Sequence, residues 1–209
     1  MIVTVLGGTV THKRMSAISS LKELVVILSG ITITVAITTV AETMRTQTVG
    51  SPWMFALFTV LILNVVRFYH GNMRLLDDSY LDADRVVRRN IVVDFVVIFT
   101  TSVLFAAMGA FLNRADLFYT CFLSILVIDI IWALLALASN NQDELQIQQR
   151  WLLNNLVFTV FVVLATLGSF QYPGVMTPDV TAGIVLVCLM LNTLIDFFVS
   201  RNFYFPSAA

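Results

Sequence analysis

The amino-acid sequence predicts an all-α integral membrane protein with six transmembrane helices. Of its 209 residues, 58% are hydrophobic and only 12% are charged, and the mean hydropathy is +0.89. This composition is too apolar for a soluble domain. Six stretches also reach the roughly 20 residues that a helix needs to cross a hydrocarbon core of about 30 Å. We therefore expect a single transmembrane domain over residues 1–209.

Capping and turn residues mark where the six stretches begin and end. Ser20-Leu-Lys-Glu23 has the pattern of a capping box and opens the first. Ser51-Pro52 and Thr177-Pro178 place an N-cap before a proline at the first helical position of the second and sixth. Asn113–Asp116 and Gln171–Gly174 break the chain between the remaining pairs. The expected spans are 21–43, 52–70, 91–112, 117–139, 152–170 and 178–200.

Basic residues fall unevenly on the two sides of these spans. Ten of the 12 Lys and Arg residues lie on one side, and only Arg45 and Arg114 lie on the other. Because cytosolic loops carry the excess of Lys and Arg, we expect both termini and the charged loop 71–90 in the cytosol. We expect the plasma or inner membrane as the location. The segments outside the spans are too short for a separate catalytic domain.

The second, fourth and sixth spans share a short pattern, in which three apolar residues precede one Asn or Asp. That polar residue is Asn64, Asp129 or Asn192, with successive copies about 65 residues apart. The spacing is close to two spans with their loops, which predicts three tandem helical hairpins. The alternative is that such short matches arise by chance in apolar helices.

Asp129 lies near the middle of its span, where a charged group costs about 2.5–3.5 kcal/mol. One interpretation is an ion or proton site on a pathway, and the other is a protonated or hydrogen-bonded carboxyl that ties two helices together. At matching depth, Asn64 and Asn192 would complete a polar layer within one chain or around an oligomer axis. Hydrogen bonds between helices, at about 0.6 kcal/mol each, would also explain the two asparagines.

A second set of charged residues lies about one turn inside the cytosolic boundary. Arg67, Asp94 and Asp196 fall at similar depth, which predicts an ion-pair cluster. The cluster would either lock the helices together or act as a cytosolic gate whose ion pair breaks when a pathway opens. Hydroxyl residues of the first span either bond to neighbouring helices or line a polar path. They are Thr32, Thr34, Thr38 and Thr39.

Basic residues at the end of the second span and beyond it either contact an anion, a lipid headgroup or a partner protein, or are simply solvated. His70 and Arg74 follow Arg67 at spacings that place all three on one face of a continuing helix. The loop then supplies juxtamembrane basic residues that attract anionic lipids. These residues are Arg85, Arg88 and Arg89.

The motifs that the chain lacks narrow its function. It has no K⁺-channel filter sequence, phosphate loop, HExxH or GxSxG, and no basic arm for nucleic acid. We therefore expect no enzyme activity, no metal and no cofactor. The sequence favours a small homo-oligomeric channel or transporter whose polar path contains Asp129. The alternative is a membrane-embedded sensor, effector or assembly subunit that binds a cytosolic protein through the loop 70–90.

Overall fold

The computed structural model describes residues 3–46, 52–80, 91–138 and 142–201, with side chains from residue 15 onward except 78, 79 and 142–148. All regular elements in these ranges are α-helices, each long and apolar enough to cross a membrane. The chain is therefore an integral, multi-pass membrane protein, as predicted. The helices are α1 (Val3–Thr46), α2 (Pro52–Tyr80), α3 (Ile91–Ala110), α4 (Ala115–Ala138), α5 (Gln142–Gln171) and α6 (Pro178–Val199).

The start of α6 follows its sequence signal, whereas the start of α1 does not. The Thr177 side chain accepts a hydrogen bond from the backbone N–H of Val180 at 3.4 Å, with Pro178 at the first helical position. By contrast, α1 begins at Val3, so the predicted capping box at Ser20 lies inside the helix and that prediction is wrong. A cap motif is a local signal, and the tertiary contacts of α1 override it.

α2 is also longer than predicted, and its additional turns pack against α1. α2 continues to Tyr80, so the first part of the expected loop 71–90 is helical, and 81–90 lies outside the described residues. Ile18 and Leu21 of α1 are buried against Leu76 and Tyr80 in one apolar cluster. The apolar faces of α1 and α2 bury each other in this cluster, and this burial stabilises the extra turns of both helices.

Neighbouring helices follow a closed order around the bundle: α1, α3, α4, α5, α6, α2 and back to α1, with a further contact between α2 and α3. α2 and α6 run in the same direction and are joined at two levels. Near their starts, the backbone N–H of Trp53 donates to Asp179 Oδ1 at 2.9 Å. Further along, Arg67 Nε donates to Asp196 Oδ2, also at 2.9 Å. These bonds hold the two helices together over about 21 Å of α2.

The contact between α1 and α3 is close and made by small residues. A Cβ atom added at Gly109 of α3 would lie 3.2 Å from both the Ala36 backbone nitrogen and the Thr32 carbonyl oxygen of α1. Thr32 and Ala36 are 1% and 0% exposed. Small residues allow helix backbones to approach closely inside a membrane. We call this contact the α1–α3 seam.

The hydroxyl groups of α1 are satisfied within their own helix. Each donates to the backbone carbonyl four residues earlier, at 2.8–3.0 Å. Such bonds need neither a neighbouring helix nor a polar path, which were the two roles expected from the sequence. The residues are Thr32, Thr34, Thr38, Thr39 and Thr43.

Candidate functional site

A cavity of about 100 Å³ lies between α2, α4, α5 and α6, with Phe105 of α3 at one side. Since roughly 10–15 Å³ of such space holds one water molecule, the cavity has room for several. Its lining on α2 runs from Asn64 to Leu75, about 16 Å along the helix axis. Charged, amide and aromatic side chains make up most of the wall. We call it the polar cavity.

Apolar side chains fill the bundle beyond Asn64, towards the start of α2. Met54 and Leu57 of α2 are 1% and 0% exposed, and they belong to one core cluster with Phe118 and Phe122 of α4. The polar cavity therefore lies towards the end of the bundle at which α2, α4 and α6 finish.

Arg67 is held in the cavity wall by two neighbouring helices. Its Nε donates to Asp196 Oδ2 of α6 at 2.9 Å, and its Nη2 donates to Asn155 Oδ1 of α5 at 3.1 Å. The side chains of Arg67 and Asp196 are 14% and 2% exposed. A desolvated ion pair of this kind is costly to break because the charge that remains is buried away from water.

Asp129 of α4 lines the same cavity but is not bonded in this way. Its side chain is half-buried, and it forms no hydrogen bond or ion pair with the described residues. The guanidinium of Arg67 is close enough to act on it electrostatically. Asp129 is therefore a carboxyl group that lines a cavity large enough for water and has no direct partner from the described helices.

The polar layer predicted from the repeat is brought together only in part. Asn64 lines the polar cavity, and its Nδ2 donates to the Val60 carbonyl oxygen at 2.9 Å. Asn192 is outside the described lining, and its buried Nδ2 has no hydrogen-bond partner in the part of the chain that the structure describes. Of the three positions, Asn64 and Asp129 therefore share a site.

Asp94 belongs to a separate hydrogen-bond network. It is 3% exposed and accepts hydrogen bonds from the Tyr80 hydroxyl of α2 and from Trp132 Nε1 of α4, the latter at 2.8 Å. Of the predicted cluster of Arg67, Asp94 and Asp196, the structure pairs the first and last, while Asp94 joins the ends of α2 and α4 to the start of α3. Trp132 connects this network to the polar cavity because it also lines the cavity.

The structure describes two of the five residues that were predicted to contact an anion, a lipid headgroup or a partner protein. They are His70 and Arg74. The His70 ring lies 6.0 Å from the Phe197 ring of α6, with the planes tilted by 51°. Arg74 is half-buried on the same helix. Arg85, Arg88 and Arg89 lie outside the described residues.

Four further residues of the cavity wall that carry an amide or an indole N–H were not singled out from the sequence as site residues. They are Asn72, Trp132, Trp151 and Asn155. Helical spacing could have indicated three of them. Trp132 follows Asp129 by three positions and Asn155 follows Trp151 by four, so the members of each pair lie on one helix face. Asn72 could not be found in this way because it was assigned to the loop after α2.

Within the described residues, no group of three or more His, Cys, Asp and Glu side chains lies close enough together to hold a metal ion.

Comparisons of the chain with protein-family models, with characterised proteins and with solved structures give no match.

Proposed function

We propose that the chain is a small channel or transporter that moves an ion or small solute along a polar path containing Asp129. The observation that carries the proposal is the placement of Asp129, which faces a cavity inside the bundle without a bonded partner from the described residues. A carboxyl with a purely structural role would be expected to bond to a neighbouring helix, as Asp94 and Asp196 do.

In this proposal both termini lie in the cytosol and the chain is built from three helical hairpins. The excess of Lys and Arg on one side supports the orientation. The polar cavity would then lie in the cytosolic half of the membrane. The apolar side chains around Leu57 and Phe122 would close the opposite half, so transport requires this layer to open. The Arg67–Asp196 pair is the proposed cytosolic gate.

The direct test is flux into liposomes that contain the purified protein, with K⁺, Na⁺, Cl⁻ and small organic cations as probes. We expect Asp129→Asn to reduce the transported flux at least tenfold while the protein remains folded by circular dichroism. Asp116→Asn is the matched control, because Asp116 is on the same helix but exposed and paired with Arg114 at 3.2 Å. Equal flux in wild type and Asp129→Asn would remove Asp129 from the path.

Flux of a permanently charged cation should also depend on pH. Protonation of the Asp129 carboxylate removes the charge that attracts a cation, so flux should fall as the pH is lowered and should become insensitive to pH in Asp129→Asn. The other charged groups of the described lining are Arg67 on α2 and Asp196 on α6, whereas α3 and α5 contribute uncharged Phe105, Trp151 and Asn155. Pairing between Arg67 and Asp196 makes Asp129 the group expected to control this profile.

A second candidate is a sensor or effector that binds a cytosolic partner through the loop 70–90. The contacts at the end of α2 favour it, because they join this end to two other helices. Lys22 of α1 forms an ion pair with Asp77, and the Tyr80 hydroxyl donates a hydrogen bond to Asp94 of α3. A partner bound next to Tyr80 would therefore pull on the same helix that lines the polar cavity. Replacing Arg85, Arg88 and Arg89 with Gln should abolish partner binding under this candidate and leave flux unchanged under the first. A homo-oligomer remains a proposal from the sequence in either case.

A further inference from the structure

The polar cavity has an unusual combination of wall chemistries, aromatic rings beside acidic and amide groups. Its described lining includes Phe68, Phe105, Trp132 and Trp151. Aromatic rings attract cations through the negative potential of their faces, most strongly when water is excluded. They are poor ligands for Mg²⁺ or Ca²⁺, which require several oxygen atoms. The wall therefore favours a bulky organic cation over a bare metal ion.

The charge balance of the wall points in the same direction. Arg67 is neutralised by its direct ion pair with Asp196, and its second donor is taken by Asn155. Asp129 is left as the carboxylate without a direct partner among the described residues. An anion would compete with Asp196 for Arg67 and would be repelled by Asp129, whereas a monovalent cation would complete the charge balance.

An independent observation comes from Asn72, which lines the cavity and is 5% exposed. Its Nδ2 donates to the Phe68 carbonyl oxygen at 2.8 Å. Its Oδ1 is buried without a hydrogen-bond partner in the described part of the chain. A buried amide oxygen left in this state is costly, and only a donor satisfies it. If the Asn72 side chain rotates towards the cavity that it lines, an N–H or O–H group on a bound solute supplies that donor.

We propose, resting on the transport function above, that the polar cavity binds a small organic ammonium ion. Asp129 provides the counter-charge, the aromatic side chains surround the alkyl groups, and Asn72 Oδ1 accepts a hydrogen bond from the polar end of the solute. Phe68 and Trp132 lie on α2 and α4, so the ion also bridges the helices that carry the counter-charge and the acceptor.

Choline is a suitable probe because its charge does not depend on pH and its hydroxyl group can donate to Asn72. The neutral comparison is 3,3-dimethyl-1-butanol, which has nearly the same shape without the charge. Binding is measured by calorimetry and by tryptophan fluorescence on the purified protein in lipid nanodiscs. We expect choline to bind at least tenfold more tightly than the neutral alcohol, and Asp129→Asn to reduce choline affinity at least tenfold. Asp116→Asn should leave both affinities unchanged.

The comparison of choline with its neutral isostere uses wild-type protein, so it remains decisive if a variant does not fold. Equal affinity for the two probes, or preferential binding of 3,3-dimethylbutanoate, would overturn the ammonium site. Choline binding without flux in proteoliposomes would support this site and contradict the transport function. Flux of K⁺ or Na⁺ without choline binding would contradict the ammonium site and leave the transport function standing.

Discussion

The α1–α3 seam and the polar cavity differ in how their polar groups are satisfied. In the seam, Thr32 bonds to its own helix and Gly109 allows the two backbones to approach closely, so the described contact at Gly109 is one of packing. In the cavity, Arg67 depends on Asp196 and Asn155 from two other helices, and Asp129 is left without a bonded partner from the described residues.

We expect this difference to separate the residues that set stability from the residues of the proposed function within one bundle. A substitution in the seam changes only how closely two helices fit, so it should alter the free energy of unfolding. A substitution in the cavity removes a partner from a charged group or, under the proposed function, a side chain that contacts the solute. The described lining of the cavity includes no residue of α1, which is consistent with a supporting role for that helix.

The largest loss of stability is expected from Arg67→Leu. It removes the Arg67 guanidinium from Asp196, whose side chain is 2% exposed, at a cost of about 3–5 kcal/mol in the free energy of unfolding. Unfolding by SDS in mixed micelles measures this cost. The double variant Arg67→Leu/Asp196→Leu should recover most of it, because no charge is then stranded.

Arg114→Leu is the matched control, since its ion pair with Asp116 is 60% and 54% exposed. An exposed pair contributes at most about 1 kcal/mol. If Arg67→Leu costs no more than this control, the Arg67–Asp196 pair is accessible to water and the contrast between the two regions is smaller than the geometry indicates.

The network at Asp94 should respond less strongly. Trp132→Phe keeps an aromatic ring in the cavity wall but removes the donor that lies 2.8 Å from Asp94 Oδ1, at a cost of about 1.5–3 kcal/mol. The same SDS titration measures it. Trp53→Phe is the control, because the indole of Trp53 forms no hydrogen bond with the described residues; an equal loss in both variants would assign the effect to ring size.

Gly109→Ala tests the seam. The added methyl group would lie 3.2 Å from backbone atoms of α1, which cannot move away as a flexible side chain could, so we expect a loss of about 1–3 kcal/mol. Gly30→Ala on α1 meets no atom within 4 Å and should gain up to about 1 kcal/mol from helix propensity. Flux per folded molecule should be unchanged in both, and a selective loss of flux in Gly109→Ala would mean that the seam moves during transport.

The smallest effect is expected from Thr38→Val. This exposed hydroxyl bonds only within its own helix in the described structure, to the Thr34 carbonyl at 2.9 Å, so stability should change by less than about 0.5 kcal/mol. Flux should be unchanged as well. A change in flux or selectivity would place the hydroxyl groups of α1 on the path and remove the distinction between the two regions.

Much of the fold could be predicted because membrane insertion imposes a length and a polarity on each helix. The start of α1 and the end of α2 could not, since Ile18 and Leu76 are buried in one apolar cluster whose members are far apart in the sequence. Depth arguments grouped Arg67 with Asp196, which the structure joins, but they also grouped Asp94, which faces Tyr80 and Trp132 instead. Depth does not determine on which side of a helix the partner lies.

The sequence by itself determined that six apolar helices form, because the hydrocarbon thickness and the helical rise are constants, and it predicts the depth of their polar residues from the same constants. Only the tertiary structure decided that Asn64 and Asp129 line one cavity while Asn192 is excluded from the described lining. That outcome depends on which helices become neighbours. Long-range packing, such as the close approach at Gly109, selects the neighbours of each helix, and no local pattern in the chain encodes this selection.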